Sequence, residues 1–309
     1  MENPITIREA VTENDVAAFW KQLRLYSKRD RFPDPNGRNG ESFPGDSEYR
    51  ACVQNMHDRP QDRCWYLFFQ QGGHDIGFAL PVLYPSENGK CFVMEFCVYP
   101  EYRGNGTDES CASALLEWTR KKGALYVELS VGGEMEHVWG SLGFLKNGFD
   151  ERGEPLMILP PQAEKPFTVE VLNDPTDWQL LKLENGFKKE IGEEFLTKEQ
   201  QKQLQRAVKE GKITFFIAKR GSRAVGMCSV AKCYSTFSCL DTGVYEDFYI
   251  EPAFRGKGIA RKLAQAAQTW CRQNGIASLT VCCAPCDEKM YQALGFDICL
   301  GTTFAHTGE

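Results

Sequence analysis

The sequence predicts two mixed α/β domains in tandem, each a twisted mixed β-sheet flanked by helices, and three observations predict it. The segment from Phe96 to Phe144 recurs without a gap as Phe248 to Phe296, and self-similarity at a fixed offset marks a unit used twice. The length of 309 residues suits two domains of roughly 150 residues each. Between the copies, Leu159-Pro160-Pro161-Gln162-Ala163-Glu164-Lys165-Pro166 collects prolines and charges. Consecutive prolines lack donors and disfavour helix and sheet, so this stretch reads as an extended linker. The expected division is 1-160 and 161-309.

The repeat is specific. Phe96-Cys97-Val98-Tyr99-Pro100-Glu101-Tyr102-Arg103-Gly104-Asn105-Gly106 reappears as Phe248-Tyr249-Ile250-Glu251-Pro252-Ala253-Phe254-Arg255-Gly256-Lys257-Gly258, an offset of 152. The same offset relates Ala112 to Ala264, Ala114 to Ala266, Trp118 to Trp270, Gly123 to Gly275, and Leu142-Gly143-Phe144 to Leu294-Gly295-Phe296.

Along the chain, Arg31 to Gly45 is rich in Pro and Gly and reads as a long loop, either a lid or plain disorder. The apolar run Phe92 to Val98, closed by a proline, predicts a strand, and the Arg-Gly-x-Gly turn after it opens a helix. Beyond the linker, helices are expected over Trp178 to Glu190 and Lys198 to Glu210. Strands follow over Ile213 to Lys219 and Ala224 to Lys232, joined by the turn Arg220-Gly221-Ser222. The run Val244 to Ile250 repeats the strand of the first copy. After the turn, Ile259, Leu263, Ala266, Ala267 and Trp270 recur at helical spacing on one face, and Asn274-Gly275 is a stop signal. A strand over Ser278 to Cys282, a short helix reaching Leu294-Gly295-Phe296 and a last strand complete the domain.

Hydrophobic residues make up 42% and charged residues 25% of the chain, the profile of a globular protein. No apolar run approaches the ~18 residues that span a bilayer, and Met1-Glu2-Asn3-Pro4-Ile5 lacks the pattern of a secretory signal. A cytoplasmic location with no membrane partner is expected. The net charge of -6 disfavours nucleic-acid binding, which needs a concentrated basic face. Thirteen cysteines are scattered, several in apolar segments (Cys91, Cys97, Cys228, Cys282), and read as buried reduced thiols. Cys283 and Cys286 form a lone CxxC. A structural zinc site wants four ligands, usually two such pairs, and no histidine lies near, so no metal is expected.

Arg255-Gly256-Lys257-Gly258-Ile259-Ala260 carries the chemistry. Two glycines let the backbone approach a ligand closely, and the first-turn amides of the helix point outward unsatisfied. With the helix dipole they make a site for phosphate oxygens, and Arg255 and Lys257 add positive charge at its rim. The Walker-type loop fails for want of Gly-Lys-Ser/Thr, and the dinucleotide fingerprint for want of its third glycine.

Asp247-Phe248-Tyr249-Ile250-x-Pro, then Arg-Gly-Lys-Gly-Ile-Ala, a helix, a strand and Met290-Tyr291-Gln292-Ala293-Leu294-Gly295-Phe296 together resemble the GNAT superfamily of N-acetyltransferases. Its Arg/Gln-x-x-Gly-x-Gly/Ala pattern is met by Arg255, Gly258 and Ala260. The resemblance implies two GNAT-like (acyl-CoA N-acyltransferase) domains, with acetyl-CoA as co-substrate and direct attack by an amine through a tetrahedral intermediate. It places the pyrophosphate on the backbone of Gly256, Lys257, Gly258, Ile259 and Ala260, and the pantetheine arm along the main chain of Phe248, Tyr249 and Ile250. Tyr291 falls where the family puts the acid that protonates the leaving thiolate; a phenol of pKa ~10 suits a thiolate whose conjugate acid lies near 8.5. Glu246 and Asp247 are the candidate bases, set by strand alternation on opposite faces, with Glu246 preferred and a water relay as competitor.

The first copy keeps Arg103, Gly104 and Gly106 but puts Asp108 where the second has Ala260, and Trp139 in place of Tyr291. A carboxylate ~4–5 Å from a phosphate would repel it by several kcal/mol at an effective dielectric near 20, and an indole N–H is no proton source for a thiolate. The first domain is therefore expected to be degenerate and the second catalytic. The acceptor is a small-molecule or peptide amine. The repeat suggests an internal pseudo-dimer within a monomer, with a homodimer as the other arrangement. A CoA-binding sensor or scaffold without turnover is the competing reading, and a thiol redox protein using Cys283 and Cys286 a second one.

Overall fold

The computed structural model describes residues 4–31, 46–132, 135–150, 153–161, 166–221 and 223–301. The chain divides into two compact units, Met1–Glu164 and Lys165–Glu309. Most of the Arg31 to Gly45 loop, the centre of the linker (162–165) and Ser222 of the predicted turn lie outside the described residues.

In the first unit, β1 (Thr6–Glu9) leads to α1 (Glu13–Tyr26), a π-helical turn (Ser27–Arg31) and α2 (Asp46–His57). Then come β2 (Arg63–Cys64), β3 (Leu67–Gln71), β4 (His74–Tyr84) and β5 (Lys90–Val98). After α3 (Thr107–Lys121) the chain forms β6 (Tyr126–Ser130), α4 (Glu136–Ser141), β7 (Leu145–Phe149) and β8 (Pro155–Leu159). The sheet order is β1-β3-β4-β5-β6-β8-β7, with β2 beside β4. The β5–β6 pair is parallel, bridged by α3, and every other pair is antiparallel. A capping box between Thr12 and Asp15 starts α1, satisfying amides that a helix end leaves orphaned. One sheet face packs Phe68, Phe78, Leu80 and Val82 beneath Phe19, Trp20 and Leu23 of α1. The other packs Phe69, Ile76, Val93 and Leu129 beneath Cys111, Leu115 and Trp139.

The second unit repeats the plan: β9 (Phe167–Val171), α5 (Trp178–Glu190), α6 (Lys198–Lys209), β10 (Ile213–Arg220), β11 (Arg223–Ser235), β12 (Leu240–Ile250), α7 (Ile259–Gln273), β13 (Leu279–Thr280) and α8 (Glu288–Ala293). The sheet order is β13-β12-β11-β10-β9, parallel only between β12 and β13. Leu180 and Leu183 of α5 pack on Phe215, Ile217, Met227 and Tyr249. The helix α7 buries Ile259, Leu263, Ala264, Ala267 and Cys271, so the apolar stripe read from the sequence is turned slightly, leaving Ala266 and Trp270 at its half-buried edge. Among the described residues no helix is long and apolar enough to cross a membrane.

Two strand expectations change. The predicted strand over Ser278 to Cys282 shrinks to Leu279–Thr280, because β12 offers it partners only at Gly243 and Val244. Among the described residues no strand follows Phe296: Ile298 and Leu300 are 77% and 78% exposed. The corresponding β7 of the first unit is held by β8, and the positions matching β8 lie outside the described residues. Alternating apolar residues make a strand only where a ladder partner satisfies the backbone.

The placement of α5 is fixed tightly. A Cβ on Gly186 would lie 2.9 Å from the Tyr249 ring, so glycine alone permits this approach of helix to strand. One turn earlier, Lys182 Nζ lies 2.7 Å from Glu251 Oε1, and Arg223 Nη2 reaches both oxygens of Glu251 at 3.1 and 3.0 Å. Gln179 Oε1 accepts from the Ala224 amide at 2.7 Å. Arg223 and Glu251 are buried, where breaking a pair leaves an uncompensated charge. Glu251→Leu is expected to destabilise the second unit by roughly 3–5 kcal/mol, read as a lower urea midpoint; an unchanged midpoint would contradict this anchoring.

Candidate active site

The site grows from the way β12 ends its pairing. Its parallel ladder with β13 stops after Val244. From there to Ile250, β12 is paired only on its β11 side, so one edge of its backbone lacks a strand neighbour among the described residues. The first unit parts one position later: β5 and β6 pair from Lys90 to Val93, the counterpart of Tyr245, and no further.

Within that free stretch the register between β11 and β12 shifts from Met227↔Tyr249 to Ser229↔Glu246. The extra residue makes a bulge, and Asp247 there adopts φ +49°, a left-handed conformation that Asp tolerates and most residues avoid. The bulge breaks the regular alternation from which opposite faces for Glu246 and Asp247 were expected. Ser229, fully buried on β11, donates its hydroxyl to Asp247 Oδ2 at 2.7 Å. Burial pushes the Asp247 carboxyl above the usual range, while the Ser229 hydrogen bond and the charge of Lys188 pull it back. Glu246 is exposed on the strand, and its carboxyl is pushed up by partial desolvation and by Asp247.

Beyond Ile250 the chain turns through Gly256 (φ +72°) and Gly258 (φ +79°) into α7. Gly258 is the N-cap, and a Cβ at either glycine would meet nothing within 4 Å, so the outer side of the turn is open to a ligand. Ile259 is anchored in the core and Ala260 is half-buried. Arg255 is engaged elsewhere than at the rim: its Nε donates to the Ile250 carbonyl at 2.8 Å and its Nη2 pairs with Glu190 at the end of α5. The guanidinium thus ties the turn to the strand end, and Lys257, 5.4 Å above the Phe254 ring, is a second exposed cation of the turn.

Tyr291 on α8 meets Phe248 (ring centroids 6.1 Å), Tyr245 (6.4 Å) and Phe296 (6.0 Å). The structure therefore brings the tyrosine beside the free strand stretch that carries Phe248, Tyr249 and Ile250. Burial, with smaller contributions from Asp287, Cys283 and Cys228, raises its phenol to about 12. The Tyr249 side chain is buried under α5 and Ile250 is also buried, so both offer a ligand their main chain only.

Glu184, which the sequence reading missed, completes the acidic group. It lies on α5, 5% exposed, and among the described residues its Oε1 has no hydrogen-bond partner. Burial first, and then the charge of Asp247, push its carboxyl up to about 8, with Lys188 opposing. The signal was present: Leu180, Leu183, Glu184 and Phe187 occupy i, i+3, i+4 and i+7, which sets a carboxylate within the apolar stripe of the helix.

The first unit has the same frame with its openings filled. Gly104 and Gly106 have φ +85° and +79°, and Arg103 Nε donates to the Val98 carbonyl at 2.8 Å while its Nη2 pairs with Asp30. Here, however, the Gly104 amide donates to Asp108 Oδ2 at 3.2 Å, so the protein's own carboxylate takes an amide of the turn. Trp139, 2% exposed, fills the place of Tyr291 between Phe96 (5.0 Å) and Phe144 (5.1 Å). Glu95, the counterpart of Asp247, is buried and accepts from the Tyr49 hydroxyl at 2.8 Å.

Among the cysteines expected in the interior, Cys282 departs from the expectation. Cys91, Cys97 and Cys228 are buried, but Cys282, Cys283 and Cys286 are exposed, because the short β13 leaves their segment outside the sheet. Among the described residues no cluster of His, Cys, Asp or Glu is arranged to hold a metal ion.

The model of the acetyltransferase (GNAT) family matches residues 25–149 and again residues 178–296. No curated protein matches the chain. Among solved structures, the chain is similar to an aminoglycoside acetyltransferase from an uncultured soil metagenomic sample, in complex with trehalose, at 17% identity over 46% of this chain and 97% of that one (TM-score 0.41). It is similar to glucosamine-6-phosphate N-acetyltransferase from Arabidopsis thaliana at 14% identity over 47% and 98% (TM-score 0.36). A predicted acetyltransferase with acetyl-CoA from Clostridium acetobutylicum matches at 15% over 46% and 96% (TM-score 0.40).

A carboxyl whose proton affinity rises on folding gives stability that is present at low pH and lost as pH rises. For Glu184 the window runs from the ordinary 4.5 to about 8, and each unit of separation is worth about 1.4 kcal/mol. The second unit is expected to lose stability across that window, and Glu184→Gln to flatten the loss and raise the melting temperature at pH 8.5. Parallel pH–melting curves for the two proteins would contradict it.

Proposed function

The chain belongs to the acetyltransferase (GNAT) family, and on that premise we propose that its second unit transfers an acetyl group from acetyl-CoA to an amine acceptor by direct attack. The observation that carries this is the free edge of β12 from Tyr245 to Ile250 running straight into the open double-glycine turn at the start of α7. An extended pantetheine arm can add to a free strand edge through main-chain hydrogen bonds, as an added strand does. The amides of Gly256 to Ala260 and the α7 dipole suit a pyrophosphate, with Lys257 beside it. Acetyl-CoA bound there supplies an activated acyl carbon as a thioester.

The remaining work falls to side chains of this unit. An amine must reach the acyl carbon without its proton, and the carboxylates Asp247 and Glu246 on the same strand are the acceptors at hand. Tyr291 stands beside Phe248 with its phenol protonated at any physiological pH. A phenol of about 12 would give a proton to an ordinary thiolate only uphill, by on the order of 5 kcal/mol. Desolvation, though, raises the proton affinity of a thiolate in the same place as it does that of the phenol, which narrows the gap. Tyr291 then serves as the hydrogen-bond donor that lets sulfur leave and finally as its acid. The acceptor is a small-molecule or peptide amine.

The first unit, with Asp108 in its turn and Trp139 filling the tyrosine's place, is read as non-catalytic, since site chemistry rather than fold decides activity. The test is thiol release from acetyl-CoA with a panel of primary amines. Tyr291→Phe is expected to lower kcat roughly 10²-fold and leave the KM for acetyl-CoA within twofold. Absence of acetyl transfer to every amine, or a kcat unmoved in Tyr291→Phe, would overturn the reading.

A further inference from the structure

At the edge of the second sheet, between β9 and α7, lies a groove of about 310 Å³ lined by Val169, Val171, Phe216, Ala266 and Trp270. It is three strands away from the free edge of β12, across β11 and β10. The first unit fills the matching place from within. Counting along the ladders from the matched pair Val93 and Tyr245, Pro81 answers to Val230, Trp65 to Thr214, Leu67 to Phe216 and Glu9 to Val171. In the first unit the Trp65 ring stands edge-on to Trp118, with centroids 5.1 Å apart. Lys122 lies over both rings, at 5.6 and 5.0 Å. Its Nζ also bonds Glu9 at 2.6 Å, strapping α3 to β1. Glu117 and Lys121 of α3 form a further ion pair at 2.6 Å.

The second unit keeps the acceptor of that ring and loses the ring. Trp270 stands where Trp118 does, half-buried, with Phe216 at 5.9 Å. Thr214 replaces the inserted indole, Asn274 and Val171 replace the strap, and Thr269 and Gln273 replace the surface ion pair. Charge adds a second constraint on what fits. Lys232 Nζ lies 5.3 Å over the Trp270 ring and has no carboxylate partner among the described residues. Arg272 donates to Thr269 Oγ1 at 3.0 Å. The carboxylate at the groove, Glu170, is already neutralised by Lys219 at 2.6 Å.

We propose that this groove is a binding site for a small planar aromatic carboxylate. The ring takes the place that Trp65 holds in the first unit, and the carboxylate lies against Lys232. Aromatic rings meeting edge to face attract beyond the area they bury, which an aliphatic ring of the same size does not reproduce. An anion in front of Lys232 completes a cation already held over an indole face. The site is independent of the acetyl-transfer reading, since none of the residues assigned to that reaction lines it.

The experiment is a titration of the intact chain, labelled at Ala and Val methyls, with indole-3-acetate, followed by NMR. Saturable shifts at Val169, Val171 and Ala266 are expected, with half-saturation below about 1 mM. They should vanish in Thr214→Trp, which supplies the first unit's ring, and in Ala266→Glu, which blocks the wall; unchanged melting curves certify each variant, and either one alone decides. Lys232→Gln is expected to weaken indole-3-acetate roughly threefold, an exposed charge being worth little, and to leave uncharged indole unaffected. No saturable shift by about 5 mM, shifts that persist in a folded blocking variant, or equal binding of cyclohexylacetate would overturn the site. Shifts confined to Val244 on β12 would place the ligand at the other edge and overturn it too. An aromatic peptide that binds where indole-3-acetate does not would replace the small ligand by a protein partner.

Discussion

After Val244, β12 no longer has β13 beside it, and the backbone groups from Tyr245 to Ile250 on that edge face a gap instead of a ladder. Buried backbone groups need partners, so this parting of two parallel strands creates a place where an extended ligand is the natural complement. Much else in the unit serves the gap. The bulge at Asp247 brings a carboxylate to the Ser229 hydroxyl, and α8 sets Tyr291 beside Phe248. The Arg255 guanidinium ties the following turn to the carbonyl of Ile250, and α5 is clamped against the far side of the strand through Glu251. The last of these also holds Glu184 of the same helix at its buried position.

The two units set different side chains into one frame. Both have the parted strands, a bulge in the strand before the turn, paired glycines of positive φ and an arginine bonded back to the strand end. What differs is what fills the openings. Asp108 reaches one turn back to the Gly104 amide, supplying from within the negative charge that a helix N-terminus attracts. Trp139 completes an apolar cluster with Phe96 and Phe144. A turn amide taken by the protein's own carboxylate gains a hydrogen bond that the second unit's open turn does not show.

The sequence carried the architecture because repetition and periodicity are local properties. The helix Trp178–Glu190 was readable to the residue from its pattern, and the offset between the copies placed the turn and Tyr291 together. Asp108 was legible as a competitor for an anion, since only one turn of helix separates it from Gly104. Other features depend on tertiary register. Whether Glu246 or Asp247 faces inward is decided by a bulge, and the regular alternation assumed for the strand could not reveal it. Arg255 looked like a phosphate contact, and its bond to Ile250 together with Glu190, far off in sequence, gives it a structural task. Glu184 was hidden differently: a charge on an apolar stripe is visible, but its meaning depends on the strand packed against it. Cys282 seemed interior because its neighbours are apolar, and it is exposed because β13 ends too soon to cover it.

On the proposed reading, the second unit has an open coenzyme site and the first a filled one. Native mass spectrometry of the intact chain with acetyl-CoA measures this directly by counting bound ligands. One acetyl-CoA per chain is expected, lost in Gly258→Glu and kept in Gly106→Glu. Two ligands per chain, or one that survives Gly258→Glu, would contradict it.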